Sequence, residues 1–193
     1  MPVARGETID PARTRARVVA TLEPLLYEHG IDGIGVSALC EAAGISKETL
    51  YRHFGSKDGL VEAVLQQRSD RVLQWLHAAA SGAGDDPADQ LAAIFDALDG
   101  WYAEPAFRGC AIVNASTQGR GGTAPGVAEI HLDRYRDLFR AIAVRAGSRD
   151  PDLVATQLLV VVEGATVVSD QLRLPGAAAA AKDAALALLR ASL

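Results

Sequence analysis

Lys47, Thr49, Tyr51, Arg52, His53 and Lys57 lie within one short stretch of the chain. An arginine fork can grip a guanine edge, a threonine methyl packs on thymine, and a tyrosine offers a flat ring with a terminal hydroxyl. Lysines supply point charges suited to phosphate. On a helical wheel, Leu50 and Phe54 fall on one stripe that must be buried, while Glu48, Thr49 and Arg52 face the other way, flanked by Lys47, Tyr51 and His53. A solvated surface helix more often repeats Glu and Lys pairs. This concentration of aromatic and cationic groups instead fits a recognition helix offered to the DNA major groove. A helix of about two turns is not stable alone, so its neighbours must hold it.

Those neighbours are legible from their punctuation. Gly44 can end one helix in the left-handed conformation, and Ser46 can accept from the free amides of the next. Ile45 and Leu50 then form a hydrophobic staple across the entry. Gly55 permits a second break, Ser56 caps a further helix, and Asp58 sits in its first turn, where the macrodipole favours an acid. The segment before Gly44 is a short amphipathic helix with Val36, Leu39 and Ala43 inward, giving the spacing of a helix-turn-helix. Upstream, Asp10 caps a helix begun by Pro11, with Val18, Leu22, Leu25, Leu26 and His29 on one side. Pro24 within it predicts a kink near Ala20 rather than a break.

The run from Val36 to Val64, with Tyr51 and Phe54 followed by Ser56-Lys57, resembles the N-terminal DNA-binding region of TetR-family transcriptional regulators. The resemblance implies an all-α chain of about nine helices. Residues 1–56 would form a three-helix head with the helix-turn-helix, and residues 57–193 an effector-binding and dimerisation domain entered by a fourth helix over 57–81. It assigns base or phosphate contacts to Lys47, Thr49, Tyr51, Arg52 and His53, and a phosphate contact to Lys57, near which the amides after Ser56 add an anion site. Two departures stand out. Glu48 occupies a place where glycine is common, and Ile34 and Gly35 replace Ser or Thr residues that usually cap the second helix and touch phosphate.

The whole chain carries 19 Lys and Arg against 24 Asp and Glu. Bulk charge therefore does not mark a DNA binder, and recognition must rest on local groups. Arg5, Arg13, Arg15 and Arg17 cluster near the start, as either a solvated arm or a minor-groove or phosphate contact. With 49% hydrophobic residues in 193, the chain can bury a substantial core. No signal-type apolar segment opens it, and the aliphatic run Leu158–Val162 is stopped by Glu163, so a soluble, cytoplasmic protein without a membrane role is expected. Cys40 and Cys110 are too few for a disulfide framework or a metal cluster, and no cofactor is expected. The glycine-rich loop Gly119–Gly126 follows no strand and lacks the Lys-Ser/Thr ending of a phosphate loop, so it is expected to be a connector.

Further helices are expected beyond the head: one from Lys57 to near Gly82 with Leu60, Val64, Val72 and Leu76 inward, and one from Pro87 with Leu91, Ile94, Phe95 and Leu98 inward. Others follow over 110–118, Val127–Ala146, Pro151 to about Leu172, and Ala177–Ala191. The penultimate helix is apolar nearly all round and needs more cover than one small subunit provides, which predicts an obligate symmetric homodimer. The family resemblance implies that the last two helices form a four-helix bundle with a partner's pair. It also implies an enclosed pocket for a small-molecule effector. Trp101, Tyr102, Phe107, Cys110, Asn114, His131, Tyr135 and Glu163 are its candidate lining. A carboxylate on an apolar helix is costly to bury unpaired, and three roles stay open for Glu163: holding a ligand's polar end, pairing with an arginine such as Arg134, or lying at the dimer seam. The function implied is a transcriptional regulator, most often a repressor released from a palindromic operator by its effector. Two other classes compete: a helical small-molecule carrier, and an enzyme or redox sensor with Cys110 as nucleophile and His131 as its base.

Overall fold

The computed structural model describes residues 10–118 and 121–193, and among them every regular element is a helix. In chain order these are α1 (Pro11–His29), α2 (Val36–Ala43), α3 (Lys47–Phe54), α4 (Lys57–Gly82), α5 (Pro87–Tyr102), α6 (Ala111–Gln118), α7 (Ala124–Ala146), α8 (Pro151–Gln171) and α9 (Ala177–Ala191). The starts follow the expected chemistry. The Asp10, Asp86 and Asp150 carboxylates accept from amides in the first turns of α1, α5 and α8, each of which opens on proline. Gly44, at φ 62°, ends α2 in the left-handed region, and Ile45 packs on the head core beside the fully buried Leu50.

Helix α1 runs unbroken through Pro24. It buries Val18, Val19, Leu22, Glu23 and Leu26, whereas Leu25 is half-buried and His29 is exposed. The inward stripe is therefore rotated from the expected one, because packing selects Val19 and Glu23 over Leu25 and His29. In α4, likewise, Leu73 enters the core and Val72 is only partly buried.

Two apolar clusters share α4. The first joins Val18, Leu22 and Leu26 of α1, Leu39 of α2 and Leu50 of α3 to Leu60, Val64 and Leu65 of α4, then continues to Ile112 of α6 and Val127 of α7. The head core is thus completed by helices of the body. The second cluster unites Leu73 and Leu76 of α4 with the inner faces of α5, α7, α8 and α9, centred on Phe95, Leu98, Phe139 and Leu158. Each fully buried Leu or Phe contributes about 1.5–3 kcal/mol.

The junction between clusters is polar. The Tyr27 hydroxyl accepts from the Arg108 amide at 2.6 Å and donates to the Gly109 carbonyl at 3.1 Å, just before α6. At the other end of α6, Gln118 Oε1 accepts from the Ile31 amide at 3.0 Å. Gly30 permits that approach: its φ is +72°, and a Cβ there would lie 2.5 Å from Gln118 Oε1. Between α1 and α4, Glu23 pairs with Arg68 at 3.0 Å and with Arg71, while the Arg68 guanidinium lies 4.3 Å from the Tyr27 ring centroid.

Helix α8 is long and apolar enough to cross a membrane by length and composition alone. In the fold it packs against α7 and α9, burying Val154, Ala155, Leu158 and Val162. Its other side exposes Leu153, Val160 and Val167.

Candidate functional site

The helix-turn-helix presents α3 with its two ends secured. Ser46 Oγ accepts from the Thr49 amide at 3.1 Å and meets Thr49 Oγ1 at 3.0 Å, so the cap also orients the Thr49 hydroxyl. Arg52 donates to that hydroxyl at 3.4 Å, which aligns the guanidinium along the outer face. Lys47, Tyr51 and Arg52 are exposed and Thr49 and His53 half-buried, whereas Leu50 is fully buried. All five side chains thus keep some access to solvent on one two-turn helix, and the Arg52–Thr49 bond joins two of them. Glu48 is exposed among them, in the first turn of α3.

Lys57 is placed differently. It is half-buried, and its ammonium donates to the Ile31 carbonyl at 2.5 Å, which leaves two N–H groups for another acceptor. Ser56 Oγ takes the Gly59 amide at 3.0 Å, so part of the anion-binding capacity of the α4 start is already used. At the second helix, Gly35 caps α2 without any side-chain bond, and Ile34 packs against the head core. Apolar packing thus stands where the resemblance implied a capping hydroxyl.

The basic cluster near the chain start also has a structural explanation. Arg13, Arg15 and Arg17 belong to α1 rather than to a loose arm; Arg5 lies outside the described residues. The Arg15 guanidinium sits 5.0 Å from the Phe54 ring centroid, and Arg17 donates to the Ala43 carbonyl at the end of α2 at 3.0 Å. Arg15 and Arg17 thereby tie α1 to the helix-turn-helix.

In the body, the expected pocket residues form two connected groups. Trp101, Tyr102 and Phe107 make an aromatic cluster, with Trp101 edge-on to Phe107 at 4.8 Å and Tyr102 5.1 Å from Phe107. Tyr102 bonds through its hydroxyl to Thr166 Oγ1 at 2.8 Å. The second group centres on His131, which is buried: Nδ1 lies 2.9 Å from Ser69 Oγ, Nε2 lies 3.8 Å from Cys110 Sγ, and the ring meets Tyr135 edge-on at 5.0 Å. A small cavity of about 50 Å³ between α6 and α8 is lined by Cys110, Asn114 and Glu163. Asn114 donates to the Arg108 carbonyl at 2.7 Å.

Arg134 does not pair with Glu163; it binds Asp70 at 2.7 Å and Ser69 Oγ at 3.2 Å on α4. Glu163 makes no ion pair among the described residues, and burial raises its carboxyl above the ordinary value.

Burial also holds the Cys110–His131 pair neutral. It pushes the thiol up to about 11. It also lowers the imidazole to about 4, with the positive Arg134 and Arg68 adding to the effect. A thiolate–imidazolium nucleophile would need proton transfer against both shifts, so the fold joins these residues without activating them. The unfolded imidazole titrates near 6.5 and the folded one near 4, so protons bind first to the unfolded chain as the pH falls between these values. The protein should lose about 3 kcal/mol of stability from pH 6.5 to 4 through this residue. Urea melts of His131→Asn across that range should show a flatter pH dependence; an unchanged slope would refute the assignment.

Glu23 and the Tyr27 and Gln118 contacts have no counterpart in the sequence reading. Glu23 was detectable: Val19, Leu22, Glu23 and Leu26 fall on one helical stripe, and Arg68 and Arg71 lie three residues apart on one face of α4.

Residues 19–64 match the family model described as bacterial regulatory proteins, tetR family. The HTH-type transcriptional regulator BetI of Stenotrophomonas maltophilia is 33% identical over 88 residues, 46% of this chain and 44% of that protein. The chain thus spans under half the length of this curated relative. Among solved structures, a TetR-family regulator from Streptomyces coelicolor superposes with a TM-score of 0.82 at 23% identity, over 94% of this chain and 96% of that one. A tetR-type transcriptional regulator from Streptomyces avermitilis is 31% identical with a TM-score of 0.80, over 93% of this chain and 97% of its own. Likeness that runs from the capped recognition helix through to α9, at that identity, places this chain in the TetR family of transcriptional regulators.

Proposed function

We propose that this protein is a sequence-specific DNA-binding regulator that acts in the cytoplasm as a homodimer on a palindromic operator, and that a small-molecule effector releases it, as a repressor. The observation that carries the reading is the α3 surface: Lys47, Thr49, Tyr51 and Arg52 project from a helix anchored by Leu50 and capped by Ser46. Arg52 and Thr49 read base edges, Lys47 and the free N–H groups of Lys57 hold phosphates, and Tyr51 and His53 reach the flanking backbone. Glu48 accepts from a cytosine amino group and repels misplaced phosphate, which favours specificity over affinity.

Two such heads related by a two-fold axis match half-sites roughly 34–36 Å apart, or a multiple of that. The effector site is the polar interior around Tyr102, Cys110, His131, Tyr135 and Glu163. Its link to the head is α4, which carries Leu60 and Val64 of the head core at one end and Ser69, bonded to His131, farther along. An effector favouring a displaced α4 changes the spacing of the heads and so weakens operator binding; one that binds both states equally changes nothing.

Selection of bound sequences from a random duplex library, followed by salt titration, tests DNA binding, symmetry and spacing together. Lys47→Ala should weaken every sequence similarly and reduce the slope of log affinity against log salt by about 0.9. Arg52→Ala should cost about 1–3 kcal/mol at one base pair and relax discrimination there. Unchanged operator binding in both variants would discard this docking.

A further inference from the structure

A cavity of about 360 Å³ lies where the end of α5 meets the turn from α8 into α9, beside the polar interior, with which it shares only Tyr102 of the residues named there. Three features give it a polar character. Helix α9 opens on Gly176, which has no side chain to cap the first amides. The Ala177 amide reaches back to the Leu174 carbonyl at 3.4 Å, and that of Ala180 to Gly176 at 2.9 Å, which leaves the intervening amides of Ala178 and Ala179 without a backbone acceptor among the described residues. The positive end of a 15-residue helix therefore faces the cavity at Ala178.

Ser169 is the second feature. It lines the cavity and is only 7% exposed, yet its hydroxyl bonds to no group among the described residues. Thr166, one turn earlier, uses its hydroxyl twice, on the Val162 carbonyl and on Tyr102. The rest of the Ser169 side chain is packed, so its hydroxyl opens on the cavity and is free to bond a molecule held there.

The third is charge. Arg173, at φ 49°, is the one non-glycine residue among those described with a positive φ. It spends one N–H on the Phe107 carbonyl at 3.2 Å, which leaves most of its fork available. Asp99 and Glu104 line the same cavity, and neither forms an ion pair with Arg173. Exposed groups of both signs thus line one cavity without a direct ion pair between them. Pro105, Leu174 and Pro175 add an apolar wall.

We propose that this cavity is a second small-molecule site, which takes a zwitterionic amino acid with an aliphatic side chain. Its carboxylate lies against Arg173, Ser169 and the α9 amides, its ammonium faces Asp99 and Glu104, and its side chain rests on the proline–leucine wall. The volume suits a ligand of that size. The site depends neither on DNA binding nor on the effector reading of the interior.

Fluorescence of the purified full chain tests it directly, because Trp101 lies 5.6 Å from Tyr102, which lines the cavity. The probes are leucine, 4-methylpentanoate, which lacks the ammonium, and 3-methylbutylamine, which lacks the carboxylate. Leucine should give a saturable change, and each analogue should bind at least about tenfold more weakly, the loss expected when a charged group's hydrogen bonds are removed. Arg173→Gln should weaken leucine by about tenfold or more, and so should Arg173→Gly, which keeps the left-handed backbone. Asp99→Asn with Glu104→Gln should erase the preference for leucine over 4-methylpentanoate. The proposal is overturned if leucine shows no saturation up to about 10 mM, if the amine binds as well as leucine, or if both Arg173 variants, folded by circular dichroism, bind leucine as the parent does.

Discussion

Replacing Val160 and Val167 together with glutamate should leave a folded monomer whose operator affinity is lower by about 10²–10⁴-fold, the avidity lost when two linked heads become one. The two side chains are 67% and 56% exposed, and Leu153, 53% exposed, continues their stripe at the same seven-residue spacing. Three apolar residues at that spacing on a helix whose opposite side is packed form a seam for another helix. On the proposed homodimer reading, a second copy of α8 is the occupant of this seam. Because these side chains point away from the core of their own subunit, charge there should cost association rather than folding. Light scattering would report the mass, circular dichroism the helix content, and titration with operator the affinity. A variant that stays dimeric would remove α8 from the interface.

The largest effect on folding is expected at Glu23. Its carboxylate is buried between Arg68, whose side chain is 15% exposed, and the more open Arg71. Glu23→Ala leaves the Arg68 charge sequestered against Tyr27 without its counter-ion, and loss of one partner from such a pair costs about 3–5 kcal/mol. Arg71→Ala, at the solvent-facing side, should cost no more than about 1 kcal/mol. Replacing both buried partners, as Glu23→Leu with Arg68→Met, should recover most of the loss, since no charge then remains unpaired. Urea melts of the three variants separate these outcomes, and a Glu23→Ala protein within about 1 kcal/mol of the parent would show that water reaches Arg68. Since Glu23 joins α1 to α4, the same variant should also loosen the head relative to the body.

What the sequence determined by itself was the set of helices and the outward chemistry of α3. Capping by Asp10, Ser46, Ser56, Asp86 and Asp150, the left-handed Gly44, and the Leu50–Phe54 stripe all act within a turn or two of the chain, so residue type and spacing are enough to reveal them. The same local rules read α8 as too apolar for one subunit. The rest depended on partners distant in the chain. Glu23 meets Arg68 across 45 residues, Tyr27 reaches Gly109 across 82, and Ser69 finds His131 across 62. No periodicity encodes such pairings: a buried polar group takes whichever partner the packed helices bring within reach, and its protonation follows from that burial. Arg15 and Arg17 became braces of the head, Arg134 chose Asp70 over Glu163, and Cys110 met His131 as a neutral pair, because helix packing settled which groups lost water together.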